Sequence, residues 1–353
     1  MHLIPSSWLE NGMILAEDIK SGSTVILREG SKIDSIAIKQ LQAYHIVAVN
    51  IMDPEDFETT FYGKTRVSKA FKKFEQDYTA NLMAYKVAVD SFIFKKVPFR
   101  LDDLIAIVNN LVPDDMSGKT LFAYLYLHLP TEDELTYAHG LNVALICKIV
   151  AQWLNFSKED TRDLCLCGFL YDIGKFNIPN EIIWKPEKLN KMEYDLMKTH
   201  AFFGWHLLSH YSKNVSERVL NATLQHHERS DGSGYPQGLN QNEIDQFAKI
   251  MAVLDVYEAM TSARPYRTSK CPYEVIQILE DTGLQLYDVS FIMTFLNHIV
   301  DELIGNRVKL SDDTEGEVIM NNPQNLARPM LKTDENNVIN LAQRKDLKII
   351  AII

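Results

Sequence analysis

Between residues 64 and 303 apolar side chains recur at spacings of three and four, clearest over 87–94, 104–111 and 141–154. That period predicts an all-α region. It breaks twice, at Ile178-Pro179-Asn180 and across Asp231-Gly232-Ser233-Gly234-Tyr235-Pro236, where proline and glycine end helices. Ahead of it, residues 12–51 alternate short apolar stretches (Ile14-Leu15, Val25-Ile26-Leu27) with Gly22 and Gly30. A helical pattern over 35–44 and a strand-like run over 46–51 follow, and the polar Asp53-Pro54-Glu55-Asp56 reads as a link. After Gly305, β-type runs at 307–310, 316–320 and 348–353 are separated by turn-forming residues. The expected architecture is mainly α. A small N-terminal α/β module covers residues 1–60, a helical bundle 61–304 with its core at about 125–300, and a small C-terminal β appendage 305–353.

Composition narrows the class. With 46% hydrophobic and 24% charged residues the chain reads as soluble and globular. A net charge of −11 disfavours broad binding to DNA, RNA or an anionic membrane, which needs a basic face. The start, Met1-His2-Leu3-Ile4-Pro5, lacks the pattern of a secretion signal, and no apolar run reaches the roughly 18 residues of a membrane span. A cytoplasmic location is expected. Cys147, Cys165, Cys167 and Cys271 lack the paired spacing of structural zinc sites and read as buried, reduced thiols.

Of ten histidines, His226 and His227 are adjacent and lie just before the glycine-rich stretch. Neighbours on a helix point about 100° apart, so both can reach one site only near a helix end. Asp172 follows an apolar run, and Asp255 sits inside Ile250-Met251-Ala252-Val253-Leu254-Asp255-Val256-Tyr257. A carboxylate in such surroundings needs an ion pair, hydrogen bonds or a metal. For Asp255 a buried salt bridge or helix cap stands beside the metal reading. His206 and His210, four apart, read as helix-surface or packing residues.

The ordered series His139, Tyr171-Asp172-Ile173-Gly174-Lys175, Met197-Lys198-Thr199-His200, His226-His227-Glu228-Arg229-Ser230-Asp231-Gly232-Ser233-Gly234-Tyr235-Pro236, Asp255 and Thr261-Ser262-Ala263-Arg264-Pro265-Tyr266-Arg267 resembles the HD-GYP family over about residues 135–296. The resemblance implies an HD-superfamily helical bundle and a metal-dependent phosphodiesterase that opens cyclic di-GMP to pGpG and then to GMP. It implies one metal held by His139, Asp172 and Asp255, and a second by Asp172, His200, His226 and His227. Such mixed nitrogen and oxygen ligands suit divalent iron or manganese. Leu135 stands where relatives with a third metal carry glutamate, so two metals are the upper expectation.

By the same resemblance Asp172 and Lys175 serve catalysis, and Lys175, Tyr235, Arg264 and Arg267 meet the phosphates or guanines. The plainer alternatives are a helix-end cation for Lys175 and a structural cap for the turn carrying Arg264 and Arg267. Tyr171 departs from the family, standing where its name-giving histidine belongs. A phenol with an ordinary pKa of about 10 is a poor ligand for a divalent ion, so the first metal site is expected to be weakened. Two functions stay open: a phosphodiesterase of reduced rate, or a degenerate domain that senses cyclic di-GMP or docks signalling proteins such as GGDEF-domain cyclases. A hydrolase for another nucleotide fits Gly234-Tyr235-Pro236 and the two arginines less well.

Overall fold

A computed structural model of the protein describes all residues except 1, 14, 22–23, 28–30, 32, 45, 52–60, 62–63, 66–67, 129–133, 184, 186 and 263–269. The proposed link at 53–56 therefore lies outside the described residues.

At the N-terminus β1 (His2–Pro5) pairs antiparallel with β4 (Ala48–Ile51), and β2 (Ile19–Ser21) with β3 (Thr24–Leu27). Between them α1 (Ser35–Ala43) starts where the Asp34 carboxylate accepts from the backbone N–H groups of Ile36 and Ala37, satisfying donors that a helix start leaves open. Ile4, Leu15, Leu41 and Ile51 are fully buried in a small core of their own. Trp8 joins this part to the helices, donating from Nε1 to the Tyr126 hydroxyl at 3.0 Å.

The helical part runs through α2 (Lys69–Lys95), α3 (Leu101–Leu111), α4 (Gly118–Leu127), α5 (Leu135–Trp153), α6 (Lys158–Leu170), α7 (Asn180–Ile183), α8 (Lys191–Tyr211), α9 (Glu217–Gln225), α10 (Gln246–Thr261), α11 (Pro272–Ile278), α12 (Leu284–Leu286) and α13 (Val289–Glu302). Side-chain caps mark many starts: Ser68, Ser117, Ser157, Ser216 and Asp245 each accept from the first turn, and Asn190 with Glu193 forms a reciprocal capping box. Residues 138–151 of α5 are buried without a break. That helix is sheathed on every side, so its sequence is apolar all round rather than striped.

α6 packs along α5 and ends at Tyr171, where a short 3-10 turn, Ile173–Asn177, leads the chain against α8. Gly174 makes that approach possible, since a Cβ there would fall 1.9 Å from the His200 carbonyl oxygen. The turn thus brings Asp172 under His200.

The C-terminal strands form one antiparallel sheet in the order β8-β7-β6-β5-β9: β5 (Arg307–Leu310), β6 (Glu315–Met320), β7 (Met330–Thr333), β8 (Val338–Asn340) and β9 (Ile349–Ile352). Val308, Leu310, Val318 and Leu331 join the main core. The Glu280 carboxylate accepts from the N–H groups of Leu326 and Ala327 at 2.7 and 3.1 Å, fastening the sheet to the bundle. β7 and β8 were not anticipated; in the sequence they are short runs broken by polar residues (Met330-Leu331-Lys332-Thr333 and Val338-Ile339-Asn340). Among the described residues no helix is long and apolar enough to cross a membrane.

Candidate metal centre

Five segments deliver the polar groups of one buried site. His139 comes from α5, Asp172 from the residue after the α6 cap, His200 from α8, His226 and His227 from the end of α9, and Asp255 from α10. α9 stops at Gln225 with His226 as its cap, which lets two adjacent imidazoles serve one place. Two groups of ligand-type atoms result, each within 4.8 Å: Asp172 with His200, His226 and His227, and Asp172 with His139 and Asp255. Asp172 belongs to both.

In the first of these groups, tautomers are set by the backbone. His200 Nδ1 donates to the Met197 carbonyl at 2.6 Å, and His226 Nδ1 to that of Thr223 at 3.0 Å. In a neutral ring this leaves each Nε2 as a lone pair. Those two nitrogens are 3.1 Å apart, and Asp172 Oδ1 lies 3.3 and 3.5 Å from them. The oxygen is buried without a hydrogen-bond partner. Converging lone pairs repel unless a cation sits among them, so these three atoms are suited to holding one. Burial, reinforced by neighbouring imidazoles for His227, holds the pKa of His200 and His227 below the usual range and keeps both rings neutral, the form that binds metal. For Asp172 burial pushes the pKa up, but the Lys175 ammonium, foremost among its neighbours, outweighs it and keeps the carboxyl well below its ordinary value.

The second group has an additional occupant. The Tyr171 hydroxyl lies 2.5 Å from His139 Nε2 and 3.0 Å from Asp255 Oδ1, while those two atoms are themselves 3.0 Å apart. Tyr171 is fully buried, and burial together with Asp255, Asp172 and Glu258 raises its pKa well above the ordinary value. It is a neutral phenol hydrogen-bonded to the atoms a cation would need. Burial also works against the Asp255 carboxylate, but the His139 hydrogen bond and Lys175 hold its pKa far below normal. Asp255 therefore lies inside α10 in a ligand-type cluster, in hydrogen-bond contact with His139 and Tyr171, and is no helix cap.

Around these groups, Lys175 Nζ bonds Asp172 Oδ2 at 2.5 Å and is partly exposed, so it is tied to the site rather than free in solvent. Tyr235 stacks on His227 with ring centroids 4.6 Å apart and faces Tyr194 edge-on. Glu228, which the sequence reading passed over, is buried and accepts from the N–H groups of Gln237, Gly238 and Leu239, clamping the glycine-rich loop. Gly234 lets that loop close, because a Cβ there would fall 2.4 Å from Glu228 Cα. Glu258 was also missed, although it lies one helical turn after Asp255. Arg264 and Arg267 lie outside the described residues. His206 and His210 are exposed on α8, away from the two groups. The four cysteines are buried and unpaired, and burial pushes the Cys165 and Cys271 thiols up to about 12.

Part of the chain is similar to known proteins. Residues 124–291 match the HD domain family. A cyclic di-GMP phosphodiesterase of Pseudomonas aeruginosa is 34% identical over 206 residues, 58% of this chain and 49% of that protein. A 3'3'-cGAMP-specific phosphodiesterase of Vibrio cholerae is 39% identical over 149 residues, 42% of this chain and 34% of the relative. A cyclic di-GMP phosphodiesterase of Thermotoga maritima is 34% identical over 46% of this chain and 45% of its own length. The chain thus spans half or less of the length of these relatives. A solved HDG"Y"P protein from Bdellovibrio bacteriovorus shares the fold, with a TM-score of 0.51 at 18% identity over 85% of this chain and 99% of that one.

Proposed function

We propose a function from the premise that this chain carries an HD domain of the HD-GYP family: it is a metal-dependent phosphodiesterase that hydrolyses cyclic di-GMP to pGpG, with GMP as the further product. The observation that carries the reading is the convergence of His200 Nε2, His226 Nε2 and the orphaned Asp172 Oδ1, next to a second set that shares Asp172. His200, His226, His227 and Asp172 would hold one divalent ion, and His139, Asp172 and Asp255 a weaker second. Iron or manganese fits this donor set of imidazoles and carboxylates. When bound, the metal supplies Lewis acidity toward the phosphate and makes water nucleophilic at neutral pH.

The chain's own groups do the rest. Asp172 spans both sets with its two oxygens, fixing their separation. Lys175 stands beside it as the cation for a nonbridging phosphate oxygen, exchanging part of its Asp172 contact for substrate. Tyr235, held against His227, offers a flat apolar wall for a guanine. Arg264 and Arg267 supply the planar forks that suit phosphate or a guanine edge. Water adds across one P–O bond, and its proton goes to the departing ribose oxygen.

A second reading, a nucleotide-sensing or partner-docking domain with little hydrolysis, is favoured by one observation: the Tyr171 hydroxyl occupies the donors of the weaker site. GGDEF-domain cyclases are the class of signalling partner this reading would take. A cytoplasmic setting, which keeps thiols reduced, accords with the unpaired cysteines. Chromatography of cyclic di-GMP incubated with manganese-loaded protein separates the readings. Linear pGpG supports the enzyme, whereas tight binding with no product supports the sensor.

A further inference from the structure

A buried hydrogen-bond network reaches His139 from the side opposite the metal-type cluster. His139 Nδ1 meets Glu258 Oε2 in a very short contact. The other oxygen of that carboxylate accepts from Asn142 Nδ2 at 2.8 Å and from the Ser262 hydroxyl at 2.6 Å. Asn142 Oδ1 in turn accepts from the Tyr78 hydroxyl at 2.6 Å, so α2, α5 and α10 all contribute. Glu258, Asn142 and Tyr78 are each at most 5% exposed. A carboxylate buried this deeply is costly unless its lone pairs are used, and here both oxygens are engaged.

We infer that Glu258 is a positioning residue for the first metal pocket: by accepting the Nδ1 proton of His139 it turns Nε2 toward Asp255 and Asp172 and leaves that nitrogen able to bind a cation. The inference rests on the proposed function and adds to it a residue that never touches metal or substrate. Asn142 and Ser262 make the assignment directional. Each points a hydrogen at Glu258 Oε1, so a glutamine at this position keeps its carbonyl oxygen there and turns its NH2 toward His139 Nδ1. Nδ1 must then accept, and the ring proton moves to Nε2, where it blocks a metal. Ser262 ends α10 immediately before residues 263–269, which carry Arg264 and Arg267. The same carboxylate thus ties His139 to the root of the segment expected to meet substrate.

The test reads the proton directly on the metal-free full chain labelled with 15N-histidine, the His139 signals being identified by their loss in His139→Ala. Wild type is expected to carry a proton on His139 Nδ1. Glu258→Gln is expected to lose it from Nδ1 and to bind manganese at the weaker site about 10- to 100-fold less tightly, the usual range for removing such a partner. The rings of His200 and His226 should be unchanged, and Glu258→Asp should restore the Nδ1 proton. If Glu258→Gln does not fold, Asn142→Ser with Ser262→Ala takes its place, with a smaller loss of affinity expected. An Nδ1 proton and manganese affinity unaltered in folded Glu258→Gln, or a manganese affinity unaltered in the double variant, would overturn the role of Glu258. A wild type that binds no manganese would instead overturn the proposed function, while the proton position still decides what Glu258 does.

Discussion

Removing only the Tyr171 hydroxyl, by Tyr171→Phe, should tighten metal binding at the first pocket while destabilising the metal-free protein. In the metal-free state the hydroxyl donates to Asp255 Oδ1 at 3.0 Å and lies 2.5 Å from His139 Nε2, in a place with no solvent access. A buried polar group stripped of its partner costs about 1–3 kcal/mol. An ion that takes up the same two atoms removes that cost, so the variant's affinity should rise by the same amount, about 5- to 150-fold. Titration calorimetry with manganese, with metal counted after desalting, measures the affinity, and thermal melting without metal measures the loss. Tyr171→His should go further, because imidazole adds a neutral nitrogen ligand where phenol must first lose a proton; occupancy and hydrolysis should rise together. The smaller ring leaves space behind it, and that packing defect sets the limit of the gain. Equal or weaker manganese binding in Tyr171→Phe would refute the reasoning, since the hydroxyl would then be a donor to the ion or irrelevant to it.

Replacing His226 and His227 together with alanine should abolish tight metal binding, and unchanged stoichiometry in a folded double variant would remove both from the site. Arg264→Ala should weaken cyclic di-GMP binding by about 1–3 kcal/mol with little effect on folding, the scale of a lost charged hydrogen bond; equal affinity in direct titration would count against its assignment. His200 and His227 have folded pKa values held below the ordinary imidazole range, chiefly by burial. Below about pH 6.5 the unfolded chain therefore takes up protons that the native state refuses. Stability of the metal-free protein, fully present above that pH, should fall as pH drops through it toward the folded values, and added manganese should delay the loss. Urea midpoints that stay level from about pH 7 to pH 5 would contradict this.

Much of the centre was legible in the sequence because its residues are rare types at fixed offsets from helix breakers. The His226-His227 pair needed a helix end, and α9 ends there. Asp172 and Asp255 stood out as carboxylates within apolar runs, and both are buried in the cluster. Glu258 and Glu228 were not seen, because an acidic residue near a helix end or loop looks like surface until its partners are known. The partners of Glu258 lie more than a hundred residues away in sequence, at His139 and Asn142. Tyr171 was recognised as a departure, but not that its hydroxyl lies between His139 and Asp255, a consequence of α5, α6 and α10 meeting at that depth. β7 and β8 escaped notice as well.

The most direct test of the central claim is to incubate anaerobically purified protein with cyclic di-GMP and either manganese or ferrous iron, counting bound metal and linear product in the same sample. One tightly held ion, a second lost on dialysis, and slow formation of pGpG that quickens as metal is added are the expected results. Two firmly held ions with brisk hydrolysis, unchanged in Tyr171→His, would show that Tyr171 is no impediment and contradict the account of the first pocket.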